Sequence, residues 1–171
     1  MNRKGFTLIE LLIVIAIIGI LAGVFFIGVT GFRNSALDAR RVADLKNVQN
    51  SLELYYSKCR LYPNTLSNSA TCPVPNSGTE TLSGSALNTA LTTAGIGITA
   101  VPTDPTGGSY QYAVEGAVGG SQGGQKYVLA ATLSGDRDVL RDPGTITGTP
   151  FGNMPFSCYP TSPTVYCVGT R

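Results

Sequence analysis

An apolar run over residues 6–32 constrains this chain most, because Glu10 is its single charged residue. At about 1.5 Å per residue, the run reaches roughly 40 Å as a helix, enough to cross a hydrocarbon core of about 30 Å with tilt. A carboxylate near the start of such a helix is costly unless a positive group neutralises it. The run therefore predicts a transmembrane helix that also takes part in an assembly.

A short basic leader precedes the run. Arg3 and Lys4 lie before it, and Arg33 is the first cation after it. The positive-inside tendency keeps the leader cytoplasmic and places the rest of the chain outside. A general secretory signal has an apolar region of about 7–15 residues and a small-residue cleavage site after it. Here the small residue, Gly5, comes first, which indicates a different kind of processing.

The order of basic residues, Gly5, Phe6 and Thr7, followed by Glu10, strongly resembles the leader of type IV prepilins and of the pseudopilins of type II secretion. In that family a prepilin peptidase cuts after the glycine and methylates the new amino terminus. The resemblance implies that residues 1–5 are a leader peptide and that Phe6 begins the mature chain.

Glu10 needs a counter-charge. The helix dipole contributes about 0.3–1 kcal/mol, whereas burying an acid at bilayer depth costs roughly 2.5–3.5 kcal/mol. No Lys or Arg lies between Glu10 and Arg33, so the available cation is the amino group that cleavage creates at Phe6. The resemblance implies that Glu10 serves the amino terminus of a neighbouring subunit during assembly. The alternative is a protonated, passive Glu10 near the lipid headgroups.

The helical pattern continues beyond the run as an amphipathic surface. Apolar residues recur at spacings of three and four: Val42, Leu45, Val48, Leu52, Tyr55 and Cys59. The charged residues are predicted mostly on the other faces: Arg33, Asp38, Arg40, Arg41, Asp44, Lys46, Glu53 and Lys58. Pro63 limits the helix because its ring cannot continue the hydrogen-bond ladder. We predict one helix over residues 6–60.

Residues 61–171 are rich in Gly, Ser, Thr and Pro. β-Branched and aromatic residues predict strands at 110–114, 126–133 and 164–168, and 85–93 favours a short helix.

The fold class is therefore α+β, with a long N-terminal helix, half transmembrane and half amphipathic, packed on a small antiparallel sheet; the resemblance implies the pilin fold. The predicted parts are the leader 1–5, the transmembrane and assembly helix 6–32, and a globular domain 33–171 made of helix 33–60, loop 61–109, and sheet with a C-terminal disulfide loop 110–171.

An Asp-Pro segment precedes the first predicted strand. Asp104 and Pro105 are followed by two glycines and then by Tyr110 and Tyr112. This order is similar to the stretch that leads into the sheet of major pseudopilins. The alternative is an ordinary turn before a hairpin.

Four cysteines in an exported chain suggest two disulfides, for which three connectivities exist. Spacing favours Cys59 with Cys72 and Cys158 with Cys167, each closing a loop worth on the order of 3 kcal/mol. Zinc is the alternative, but the chain has no CxxC pair and no histidine. A C-terminal disulfide loop resembles that of many type IV pilins and is unusual for major pseudopilins.

Groups suited to catalysis are sparse, so we predict no catalytic residue and no enzyme. Asp136, Asp138 and Asp142 are a calcium candidate, since hard cations take clustered carboxylates. The resemblance to major pseudopilins implies calcium in this region, but these acids do not reproduce that loop recognisably. A solvated turn neutralised by Arg137 and Arg141 is the alternative, so no cofactor is predicted beyond this candidate ion.

The resemblance implies a structural subunit that polymerises through its N-terminal helix, and the C-terminal cysteine pair favours a type IV pilus filament. A type II secretion pseudopilin, working in protein export, is the alternative, and a monomeric membrane-anchored surface binding protein is a further one. The implied partners are other copies of the chain, the prepilin peptidase, membrane lipid, an inner-membrane assembly platform and a motor ATPase. DNA is not expected, because loss of Arg3 and Lys4 leaves ten basic and ten acidic side chains.

The same interpretation implies two locations. The precursor crosses the cytoplasmic membrane once, with its globular domain on the extracytoplasmic side. The assembled filament is extracellular.

Overall fold

The computed structural model describes residues 5–65, 72–73, 75, 78–116, 123–135, 140, 145–152, 154–162 and 164–170, with only the backbone of residues 24–30. One helix, α1, spans Leu8–Cys59, which confirms the single long helix predicted over residues 6–60. Its 52 residues extend over roughly 78 Å.

Local chemistry sets both ends of α1. Thr7 is the N-cap in an extended conformation, and its hydroxyl accepts the backbone N–H of Glu10. At the other end Arg60 adopts a left-handed conformation with φ of 60°, and its N–H donates to the carbonyl of Tyr56 at 2.7 Å. The chain then turns away, and Pro63 lies just beyond.

A four-stranded antiparallel sheet packs on the second half of α1. Its strands, in spatial order, are β1 (Glu80–Leu82), β2 (Gln111–Val114), β3 (Tyr127–Thr132) and β4 (Val165–Gly169). The last three match the predicted strands to within one or two residues. The helix α2, Gly84–Thr93, lies where 85–93 predicted one. Strand β1 was not predicted, since it lies within residues 61–109, which were predicted to be a loop. Its three residues are too few to show an alternating pattern.

The sheet register explains where the core lies. One row across the sheet joins Leu82 to Tyr112, Tyr112 to Leu129, and Leu129 to Val168. Successive side chains in a strand point to opposite faces, so this row shares one face, which carries the main core. The predicted helical stripe meets it: four of its residues are buried, and Val42 and Cys59 pack partly buried against them.

The opposite face of the sheet is also covered. Ala113, Val128 and Ala130 on this face contact a second apolar cluster formed by the C-terminal segment, including Phe151 and Phe156. Cys158 and Cys167 belong to the same cluster and are joined by a disulfide. The sheet is therefore a middle layer between α1 and the C-terminal segment. Below, residues 33–170 are called the head, and residues 6–32 the stem.

Candidate assembly site

The first turn of α1 is a capping box built on Glu10. Its Oε2 accepts the backbone N–H of Thr7 at 2.9 Å and the Thr7 hydroxyl at 2.7 Å, while the Glu10 N–H donates to Thr7 Oγ1 at 3.4 Å. Gly5 and Phe6 precede the helix and are exposed. In the uncut chain, Glu10 therefore satisfies donors at the start of its own helix.

In residues 6–23 the stem presents apolar side chains outward on every side. Phe6 is 86% exposed and Leu8 85%, and the aliphatic side chains up to Leu21 are at least 49% exposed. The predicted run also includes residues 24–30, whose side chains lie outside the described part. Among the described residues, no helix combines the length and the apolar character needed to cross a membrane.

A polar cluster centred on two buried charges, here called the Arg41 cluster, lies where α1 enters the head. It consists of Asp38, Arg41, Asp104, Thr106 and Ser134. Arg41 Nη1 donates to Asp38 Oδ1 and to Ser134 Oγ, both at 2.8 Å. Arg41 Nε donates to Asp104 Oδ2 at 2.7 Å, and Nη2 donates to Asp104 Oδ1 at 3.3 Å and to Thr106 Oγ1 at 3.0 Å. The guanidinium thus joins α1 to the loop before β2 and to the turn after β3.

Asp38 completes the cluster through backbone donors. Its carboxylate accepts the N–H of Ser134 at 2.9 Å and the N–H of Gly135 at 2.8 Å. Asp38 is fully buried and Arg41 is 4% exposed. Burial of these charges is tolerated because each meets an opposite charge or a hydrogen-bond donor.

The prediction that Asp38 and Arg41 lie on outward faces of the helix is wrong. The stripe of spacings three and four continues from Leu45 through Arg41 to Asp38, so both side chains face the head. Arg33, Arg40 and Lys46 are exposed, as predicted. The helical spacing of Asp38 and Arg41 with Leu45 indicates that both are buried, but their charge favoured an exposed position. Their burial depends on Asp104 and Ser134, which are distant in sequence.

The charge arrangement shifts the ionisation of Asp104. Its hydrogen bonds from the Arg41 guanidinium, and then those from Thr106, lower its pKa to about 2 against burial, which acts in the opposite direction. The Asp104 hydrogen bond also raises the pKa of Arg41. Both groups are therefore charged at neutral pH, and the pair is an ion pair with a bidentate geometry.

A second acid of α1 anchors a tyrosine next to the cluster. The Tyr110 hydroxyl donates to Asp44 Oδ2 at 2.7 Å. Burial first, and then the Asp44 carboxylate, raises the pKa of Tyr110. Asp44 is half-buried, so it also departs from the predicted outward position.

Both disulfides form in the pairing that spacing favoured. Cys59 and Cys72 join the end of α1 to the following segment, with an S–S distance of 2.00 Å. Cys158 and Cys167 close the C-terminal loop at 2.05 Å. No free cysteine remains in the described residues.

Several predicted site residues lie outside the described part of the chain. These are Arg3 and Lys4 of the leader and the calcium candidates Asp136, Asp138 and Asp142. Within the described part, no group of three or more His, Cys, Asp or Glu side chains is arranged to hold a metal ion. The calcium hypothesis therefore stays a prediction.

The chain has recognisable relatives. Residues 1–26 match the family described as "Prokaryotic N-terminal methylation motif". Over 158 residues the chain is 29% identical to the type II secretion system core protein G of Vibrio cholerae serotype O1, a match that covers 89% of this chain and 92% of that protein.

Two further relatives match over a shorter stretch. The type II secretion system core proteins G of Escherichia coli (strain K12) and of Aeromonas hydrophila are each 34% identical over 64 residues. These matches cover 37% of this chain and 44% and 45% of the relatives, so the chain spans less than half of their length there. No solved structure matches the chain.

Proposed function

Because this chain belongs to the family of type IV pilins and type II secretion pseudopilins, we propose that it is a structural subunit of a pseudopilin-type filament that serves protein export. The observation that carries this proposal is the similarity to the Vibrio cholerae core protein G, which extends through the head as well as the stem. The comparisons favour this alternative over a type IV pilus subunit, which the C-terminal cysteine pair had favoured.

Processing begins at the leader. The prepilin peptidase cuts after Gly5 and methylates the amino group of Phe6. The methylation motif over residues 1–26 supports this step. So does the geometry, since Gly5 and Phe6 are exposed and precede α1, where a peptide bond is accessible to a protease.

Glu10 then acts in assembly. In one copy its Oε2 is held by Thr7, on an exposed first turn of α1. Cleavage creates an ammonium group, and the Glu10 carboxylate of one copy pairs with the Phe6 amino terminus of the next. In the filament interior both charges are removed from water, and a buried acid without a partner is costly. The pairing is therefore selective for a copy that supplies the amino group.

The exposed apolar stem explains why the chain contacts lipid first and other copies of the chain afterwards. As a precursor, the chain is anchored in the cytoplasmic membrane, where lipid covers the stem. In the filament, the stems of other copies replace the lipid, and the heads lie outside. An inner-membrane platform and a motor ATPase drive the exchange, and the subunit itself has a structural rather than a catalytic role.

A type IV pilus subunit is the second candidate. The Cys158–Cys167 disulfide favours it, because this bond closes a C-terminal loop of the kind found in many type IV pilins.

Isolation of sheared fibres and mass spectrometry of their first residue test the proposal. We expect N-methylphenylalanine at position 6, with the chain in fibres. Deletion of the gene should block export of a secreted protein and remove the fibres that contain this chain, while long surface fibres built from other subunits persist. Loss of surface fibres with normal export would favour the pilus candidate, and dispersed monomers that retain Met1 would contradict both and favour a simple membrane anchor.

A further inference from the structure

We propose that Arg41 is a positioning residue for assembly: it fixes the loop of residues 101–110 and the turn at Ser134 and Gly135 against α1, so that the base of the head presents one surface to neighbouring copies. This inference rests on the proposed filament function. The assembly chemistry of Glu10 and Phe6 lies in the stem, whereas Arg41 lies in the head.

The position of the Arg41 cluster supports this role. Asp38 is the first fully buried side chain along α1 in the described residues, and Arg41 follows one turn later. The side chains described before Asp38 are exposed, apart from the partly buried Leu37. The cluster therefore marks the level at which α1 emerges from the head, next to any copy that packs along the stem.

The contacts of Arg41 connect three segments that are far apart in sequence. It is bonded to Asp38 in α1, to Asp104 and Thr106 before β2, and to Ser134 after β3. The start of β2 and the end of β3 are neighbours in the antiparallel sheet. One guanidinium thus holds both segments at the same end of the sheet.

The loop before β2 needs this restraint. Its residues Val101, Pro102 and Tyr110 line an open cleft of about 510 Å³, together with Val48 and Leu87. A loop beside unfilled space has few packing contacts on that side. Asn88 holds the loop at Val101 and Asp44 holds it at Tyr110, and the bonds of Arg41 to Asp104 and Thr106 fix the stretch between them.

Compared with apolar residues at the same positions, the cluster fixes geometry rather than adding stability. Apolar residues in place of a buried ion pair often leave stability unchanged or increase it, whereas removal of one partner leaves a buried charge unpaired. Further along α1, the apolar stripe from Leu45 to Tyr55 is buried against the sheet independently of the cluster. The head should therefore fold without the ion pair, but with the two segments loosened.

The first test uses Arg41→Lys and Arg40→Lys in the full chain, expressed with its assembly system. Lysine keeps the charge but cannot donate to acceptors on four residues in a planar fork. We expect Arg41→Lys to reduce sheared fibres about tenfold, with both disulfides formed, since several bonds of a buried network are lost. Arg40→Lys, at the exposed neighbouring position, should assemble like the wild type.

Amide hydrogen exchange supplies a readout that a general loss of stability would not produce. In Arg41→Lys, the amides of Ser134 and Gly135 should exchange faster, while those of β3 keep their protection. The double variant Arg41→Met with Asp104→Leu should form both disulfides and still assemble poorly. Normal fibre yield from Arg41→Lys or from this folded double variant would overturn the inference alone. Absence of fibres from the wild type would overturn the proposed function together with it.

Discussion

At the residue scale, Glu10 and Arg41 are two charged side chains with different structural positions. Glu10 is exposed on the first turn, where Thr7 holds one of its oxygens. Arg41 is buried and bonded to four residues. The first is available for a partner in another copy, whereas the second is fully occupied within its own chain.

Neutralisation of Glu10 should separate membrane insertion from polymerisation. We expect Glu10→Gln and Glu10→Ala to insert normally and to form few fibres, because the Phe6 amino terminus of the next copy loses its counter-charge. Membrane fractionation and a filament shear assay measure the two steps. Glu115→Gln is the control, since it removes a carboxylate that lies 3.5 Å from Lys126 in the head. Normal fibres from Glu10→Gln would contradict the role of the acid.

Asp104 should make the head sensitive to acid. Its pKa is about 2 in the folded chain against an ordinary value of 3.8, so its contribution is present above pH 4 and is lost as the pH falls from about 4 to about 2. The shift corresponds to about 2 kcal/mol. The difference in unfolding free energy between the wild type and Asp104→Asn should therefore shrink by this amount between pH 5 and pH 2. A difference that stays constant in denaturant titrations would contradict the assignment.

At the scale of elements, the contact between β3 and β4 depends on a glycine. A Cβ added at Gly169 would lie 2.1 Å from the carbonyl oxygen of Tyr127, in the strand that pairs with it. Backbone atoms cannot yield to this contact without displacing β4, which also carries Cys167. The close approach of these two strands was not visible in the sequence.

Gly169→Ala should therefore destabilise the head. Overpacking costs about 1–3 kcal/mol, and a clash with backbone belongs at the upper end. Chemical denaturation should show a lower midpoint with an unchanged slope. Gly152→Ala is the matched control, since a Cβ there meets no atom within 4 Å. Equal stability of the two variants would show that the strands can separate without cost.

At the scale of the whole molecule, folding and assembly use different parts of the chain. The main core uses α1 only from Val42 onward, while the apolar stem residues whose side chains are described are exposed. The head is therefore complete without the stem, and the stem needs lipid or other copies to cover it. This division suits a subunit that must fold before it polymerises.

Removal of residues 1–32 should thus yield a folded monomer. We expect the remaining chain to elute as a single species in size-exclusion chromatography with light scattering. A non-reducing peptide map should link Cys59 to Cys72 and Cys158 to Cys167. Fibres from this truncated chain would show that assembly does not depend on the stem.

The sequence by itself determined the elements that are specified locally. The stem follows from an uninterrupted apolar run, and the stripe from Val42 to Cys59 follows from hydrophobic periodicity. Together they predict the single long helix, and β-branched and aromatic residues predict three strands. The same holds for Glu10 in the first turn, because a cap involves only neighbours three residues apart. Cysteine spacing likewise favoured the two disulfides that form.

Only the tertiary structure decided what depends on distant partners. Asp38 and Arg41 have the charge of exposed residues, and their burial requires Asp104 and Ser134, more than sixty and ninety positions away. β1 is too short to predict alone and forms because β2 lies beside it. The second apolar layer on the outer face of the sheet likewise depends on where the C-terminal segment returns. In each case the free energy comes from pairing segments that the chain brings together only on folding, so a local pattern can place a residue on a face but cannot identify its partners.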